Sequence, residues 1–91
     1  MMDIHLLITV HTEDNEIVLN YSKVYCSEMV PCVGIKIKDS LFAKYQNIIE
    51  VAIDYSKNEC FVTLEPKLET KERLGGHIQE VAELHNWLLL K

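Results

Sequence analysis

Residues 49–64 read Ile49-Glu50-Val51-Ala52-Ile53-Asp54-Tyr55-Ser56-Lys57-Asn58-Glu59-Cys60-Phe61-Val62-Thr63-Leu64. Ile49, Val51, Ile53 and Tyr55 alternate with Glu50, Ala52 and Asp54. Beyond Ser56-Lys57-Asn58-Glu59, Cys60, Val62 and Leu64 alternate with Phe61, Thr63 and Glu65 until Pro66 stops the run. Successive side chains of a strand point to opposite faces, so period two marks two half-buried strands. The polar tetrapeptide between them has the length of a hairpin loop. The pattern predicts a β-hairpin with Ile49, Val51, Ile53 and Tyr55 turned inward.

Upstream, the same rule applies twice more. Ile4, Leu6, Ile8 and Val10 fall on one face of residues 4–11, with His5, Leu7, Thr9 and His11 on the other. Thr12-Glu13-Asp14-Asn15-Glu16 is a polar turn whose Asp and Asn tolerate unusual backbone angles. Alternation resumes with Ile17, Leu19, Tyr21 and, past Lys23, Tyr25. Residues 3–25 therefore read as a first hairpin. Cys26 to Pro31 break the pattern, because proline lacks the ladder donor and disfavours helix at Val30. Val33, Ile35 and Ile37 then alternate with Gly34, Lys36 and Lys38 as a middle strand solvated on one side. Asp39 or Ser40 is placed to cap a short helical turn through Tyr45.

Downstream of Pro66, Gly75-Gly76 reads as a cap or kink, since two glycines inside a helix cost about 2 kcal/mol relative to alanines. From His77 to Leu90 the apolar period becomes helical. Ile78, Val81, Ala82, Leu84, His85, Leu88 and Leu89 gather into one stripe, which leaves Trp87 and Leu90 on the opposite face. The expected architecture is α+β: an antiparallel sheet of four to five strands, in two hairpins plus a middle strand, packed by a C-terminal helix. A small SH3-like or OB-like barrel with a terminal helix is the alternative closure of the same strands.

Composition narrows the function class. The chain has 91 residues, 48% of them hydrophobic and 25% charged, which is the balance of one globular domain over residues 1–91. The formal charge is −5. Acid is concentrated early, with Asp3, Glu13, Asp14, Glu16 and Glu28 against Lys23 alone in residues 1–31. Nucleic-acid binding usually needs a cationic stripe, and Lys36, Lys38 and Lys44 make a thin one, so that partner class is disfavoured. The start lacks a basic leader region, and the apolar run from Ile4 to Val10 is too short to span a bilayer. Three cysteines form an odd set, which fits a reducing cytoplasm better than a disulfide framework.

No constellation of reactive groups stands out. Cys26 and Cys32 are separated too widely for a zinc knuckle. His5 and His11 lie about 20 Å apart along one strand, and His77 and His85 about 12 Å apart on a helix. No metal site, cofactor site or catalytic residue is assigned. Cys26 is the best thiol nucleophile by position, beside Ser27 and Glu28, but an acidic neighbour raises a thiol pKa where catalysis needs it lowered. Three catalytic and nucleotide-binding signatures (G-x-S-x-G, H-E-x-x-H and the P-loop) are absent from the sequence.

What remains is surface. Trp87 with Leu90, if turned away from the sheet, forms a contact face of the kind enriched at binding hot spots. Glu13, Asp14 and Glu16 form an acidic turn, and an outward row of Tyr21 and Tyr25 would add a second patch. These features point to a small, non-enzymatic protein-interaction module, an adaptor or inhibitor of the kind that phages and mobile elements encode. Its partner would be another protein, or a second copy joined through an edge strand or the Trp87 face. The alternative is a small-molecule-binding domain with a pocket between helix and sheet or between protomers.

Overall fold

The computed structural model describes residues 2–28, 31–38 and 44–90. β1 (Met2–His11) and β2 (Val18–Ser27) form the first hairpin, antiparallel from Met2 opposite Ser27 to His11 opposite Val18. Met2, Ile4, Leu6, Ile8 and Val10 are buried, as their alternation predicts. Directly opposed residues share a face. Leu19, Tyr21, Lys23 and Tyr25, which oppose Val10, Ile8, Leu6 and Ile4, therefore lie on the inner face as well.

β4 (Gln46–Asp54) and β5 (Glu59–Leu64) form the second hairpin, and a short β3 (Lys36–Ile37) pairs with the start of β4. The expected middle strand shrinks to those two residues. Gly34 adopts a φ of 99°, and the amide of Ile35 donates to the Cys32 carbonyl at 3.1 Å, so the chain turns where alternation suggested extension. The register of β4 against β5 shifts between Ile48 and Glu50. This irregularity puts Ile48, not Ile49, in the core and leaves Tyr55 exposed in the turn. The helical turn expected around Asp39 and Ser40 falls largely on residues outside the described ones.

The sheet is mixed and seven-stranded, in the order β3-β4-β5-β1-β2-β7, where β7 is Leu88–Leu90, with β6 (Lys67–Leu68) continuing β5 alongside β1. This corrects the expectation of four or five purely antiparallel strands. β5 runs parallel to β1 from Asp3 opposite Glu59 to Leu7 opposite Thr63, and β6 resumes from Val10 opposite Lys67. The cause is burial. Cys60, Val62 and Leu64 are fully sequestered, whereas β4 carries Ile49 and Ile53 partly in solvent. The more apolar strand takes the central place beside β1, and its hairpin partner goes outside. The sheet curls into a half-barrel, between the open sheet and the closed barrel that the sequence left as alternatives.

A helical segment covers the inner face. It winds as a π-turn over Arg73–His77, where the Ile78 amide donates to the Arg73 carbonyl, and as α1 over Ile78–Leu84. Each four-residue step along an α-helix advances a side chain by about 40° around the axis. The wider π winding takes that drift back, so Leu74, Ile78 and Ala82 stay on one buried stripe. The helix was expected to run to Leu90 but stops at Leu84. Asn86 adopts a φ of 66°, its amide donates to the Glu83 carbonyl at 3.3 Å, and the Trp87 amide donates to the Ala82 carbonyl at 2.8 Å. That pair of bonds is a Schellman closure, with an asparagine in the left-handed position and an apolar residue after it. Residues Leu88–Leu90 then form β7, antiparallel to β2, with Leu89 opposite Tyr21. No helix among the described residues is long and apolar enough to cross a membrane.

Candidate functional site

The acidic turn is built by its own side chains. The Thr12 hydroxyl donates to Asp14 Oδ1 at 2.7 Å, the Glu16 amide donates to the same oxygen at 3.1 Å, and the Ile17 amide donates to Thr12 Oγ1 at 3.2 Å. Asn15 supplies the left-handed residue at φ 58°. From the start of the helical segment, Lys71 Nζ lies 3.3 Å from Asp14 Oδ2 and bonds Glu16 Oε2 directly. Two of the three acidic residues proposed as a binding surface are therefore occupied within the chain, and the third, Glu13, is exposed. The turn and residues 68–71 flank a cleft of about 680 Å³.

The Thr12 hydroxyl, the Glu16 amide and Lys71 together hold the Asp14 carboxyl at about 2, below the ordinary 3.8. Lys71 is raised in turn, first by Glu16 and then by Asp14. A depressed carboxyl adds stability that is fully present above its unfolded value and is lost as pH falls through its folded one. Wild-type protein is expected to lose a small part of its thermal stability between pH 3.8 and about 2, and Asp14→Asn to flatten that part of the limb. Melting temperature against pH for the two proteins checks this, and superimposable acid limbs would show the turn to be unlinked to folding.

Trp87 is not the exposed face that the helical period implied. It is 2% exposed, because the Schellman turn swings it back over the sheet onto Ala82's side of the core. Tyr21 is buried to the same degree, which corrects the outward tyrosine row. Tyr25 is partly exposed, and Lys23 Nζ lies 5.1 Å from its ring centroid and 5.8 Å from that of Trp87. Lys23 belongs to the inner row and holds its ammonium over two aromatics, a placement its charge disguised in the sequence. Leu90 is exposed, opposite Asn20 on β2. The structure thus brings Asp14 and Glu16 together around Lys71 and Tyr21 together with Trp87. Lys71, Leu88 and Leu89 had not been singled out as site residues. The signal that would have found the last two is Asn86 followed by an apolar residue, a helix stop.

Neither Cys26 nor Cys60 carries an activated thiol. Cys26 lies one residue before the end of β2, and its Sγ donates to Asp3 Oδ1 at 3.1 Å, a bond that pushes the thiol up rather than down. Cys60 is raised by burial. Cys32 is exposed. On the outer face of β1, His5 stacks on Phe61 with ring centroids 4.6 Å apart, and its Nε2 lies 4.0 Å from Glu59 Oε1. Among the described residues no group of three His, Cys, Asp or Glu side chains is placed to hold a metal ion.

A stretch of unassigned apolar surface lies along β7. Leu88, Leu89 and Leu90 are 66%, 50% and 43% exposed, on a strand at the edge of the sheet. Val18 and Val24 on neighbouring β2 are also exposed. No known protein family, no curated protein and no solved structure matches this chain.

Proposed function

We propose that this domain is a protein-interaction module that receives an extended segment of its partner along the free edge of β7. The observation that carries the reading is the run of three exposed leucines on a strand paired on one side only among the described residues. An edge strand presents unpaired amides and carbonyls, the template for strand addition. Half-exposed leucines contribute about 1 kcal/mol apiece when the added strand covers them. Native edges are commonly protected by charge, proline or a bulge. Residues 88–90 have none of these three features within them. The tied-down acidic turn supports the same choice, since Lys71 already engages Asp14 and Glu16.

A photo-crosslinking side chain placed at Leu88 is expected to give a covalent adduct with the partner in the native host. The same group at Tyr55, exposed in the β4–β5 turn, serves as the control. Leu89→Pro, which removes a backbone donor from β7, is expected to abolish the adduct. An adduct at twice the chain's mass would identify the partner as a second copy. Equal adducts from both positions, or none from Leu88, would refute the reading.

A further inference from the structure

α1 and β7 enclose a pocket of about 200 Å³ lined by Tyr21, Gln79, Glu83, Trp87, Leu88 and Leu89. Tyr21 is 2% exposed, and its hydroxyl has no hydrogen-bond partner among the described residues. Tyr21 and Glu83 both line the pocket, and burial first, with the Glu83 carboxylate second, raises the pKa of that phenol. A sequestered hydroxyl without a partner is uncommon, because leaving it unpaired costs about as much as a lost hydrogen bond. Gln79 commits its amide nitrogen to the Leu74 carbonyl at 3.3 Å, so its remaining capacity is chiefly as an acceptor. An ionised Glu83 offers acceptors only. The polar part of the lining is rich in acceptors and carries one negative charge, while Trp87, Leu88 and Leu89 supply apolar wall.

We propose that this pocket binds a small organic ammonium group, its N–H donors turned to Glu83 and Tyr21 and its alkyl chain laid against Leu88, Leu89 and Trp87. Three donors on one nitrogen suit an acceptor-rich lining, and a charge-assisted bond to the carboxylate is stronger than a neutral one. Lys23 does not fill this role. Its ammonium lies over the Tyr25 and Trp87 rings, and it is not part of the pocket lining. A single carboxylate is too few for a divalent ion, which takes several oxygen ligands. The volume restricts the ligand to a short amine. Two sources share that chemistry, a free alkylamine and the lysine side chain of a polypeptide. The site does not rest on strand addition at β7, and either reading survives failure of the other.

Trp87 is the chain's only tryptophan and lines the pocket, so its emission reports occupancy directly. Titration with n-butylammonium is expected to give a saturable change with a dissociation constant on the order of 1 mM. n-Butanol and butyrate, of similar shape without the cation, are expected to give none. Glu83→Gln is expected to weaken binding about tenfold. Tyr21→Phe is expected to weaken it about threefold or more, with circular dichroism and melting temperature confirming the fold. Glu83 is exposed, so its variant keeps the test intact if Tyr21→Phe is destabilised. Nα-acetyl-lysine amide separates the sources. Its binding beside n-butylammonium supports the proposal with a polypeptide lysine, and binding of n-butylammonium alone supports it with a free amine. No saturable response to either amine, an equal response to n-butanol, or an unchanged constant in Glu83→Gln would overturn it.

Discussion

Replacing Trp87 by alanine is expected to remove most of the stability of this domain. A buried tryptophan truncated to alanine costs about 3–5 kcal/mol, from lost transfer energy and the cavity left behind. A chain of this size has a net stability on the order of 5 kcal/mol. Trp87 is 2% exposed and packs in the same cluster as Tyr21, Ile78 and Ala82. With a denaturant slope of about 1 kcal/mol per molar urea, the midpoint is expected to fall by about 3 M, followed by far-UV circular dichroism. Trp87→Phe, which keeps an aromatic body in the site, is expected to recover a large part of the loss. A midpoint lowered by less than about 0.5 M would mean that the C-terminal turn swings outward in solution and that Trp87 is a surface residue after all.

The difference between the helical-stripe reading and this structure comes down to Asn86. An amphipathic period continues smoothly from Ile78 through Leu89 if the backbone stays helical, and on that phase Trp87 faces solvent. The left-handed Asn86 breaks the phase, and its neighbours then close a Schellman turn. Asparagine is a tolerated residue at that position and tryptophan supplies the usual apolar contact, so the stop was legible in principle.

Other elements were legible for clear reasons. β1 alternates strictly, and every member of its inner row is buried. The two hairpins are local, and local pattern together with turn composition specified them. The mixed topology is not local. Whether β5 or β4 lies beside β1 depends on pairing across more than fifty residues, which alternation within a strand does not encode. The inner row of β2 was drawn correctly as one face, and its direction was obscured by Lys23 between two tyrosines. The ion pairs of Lys71 with Asp14 and Glu16 likewise join residues 55 or more positions apart. The candidate pocket was anticipated as a class, between helix and sheet, but its residues depend on where the helix ends.

Leu74 offers the second large effect, together with an internal control. The sequence gives it no special place, since it precedes Gly75-Gly76 and lies outside the apolar stripe read from His77 onward. The π-turn carries it into that stripe, where it is 1% exposed, while Leu84, assigned to the stripe by periodicity, is 76% exposed. Leu74→Ala is expected to cost about 2–5 kcal/mol and to lower the urea midpoint by about 2 M or more. Leu84→Ala is expected to stay within about 0.5 kcal/mol of wild type, because it removes little buried area and alanine is the better helix former. The contrast tests the winding itself. If the segment were a regular α-helix starting after the glycines, Leu74 would lie in a loop and Leu84 on the packed face, and the two effects would exchange. The π-turn predicts the larger loss on the residue before the glycines, because the wide winding returns Leu74 to the face shared by Ile78 and Ala82.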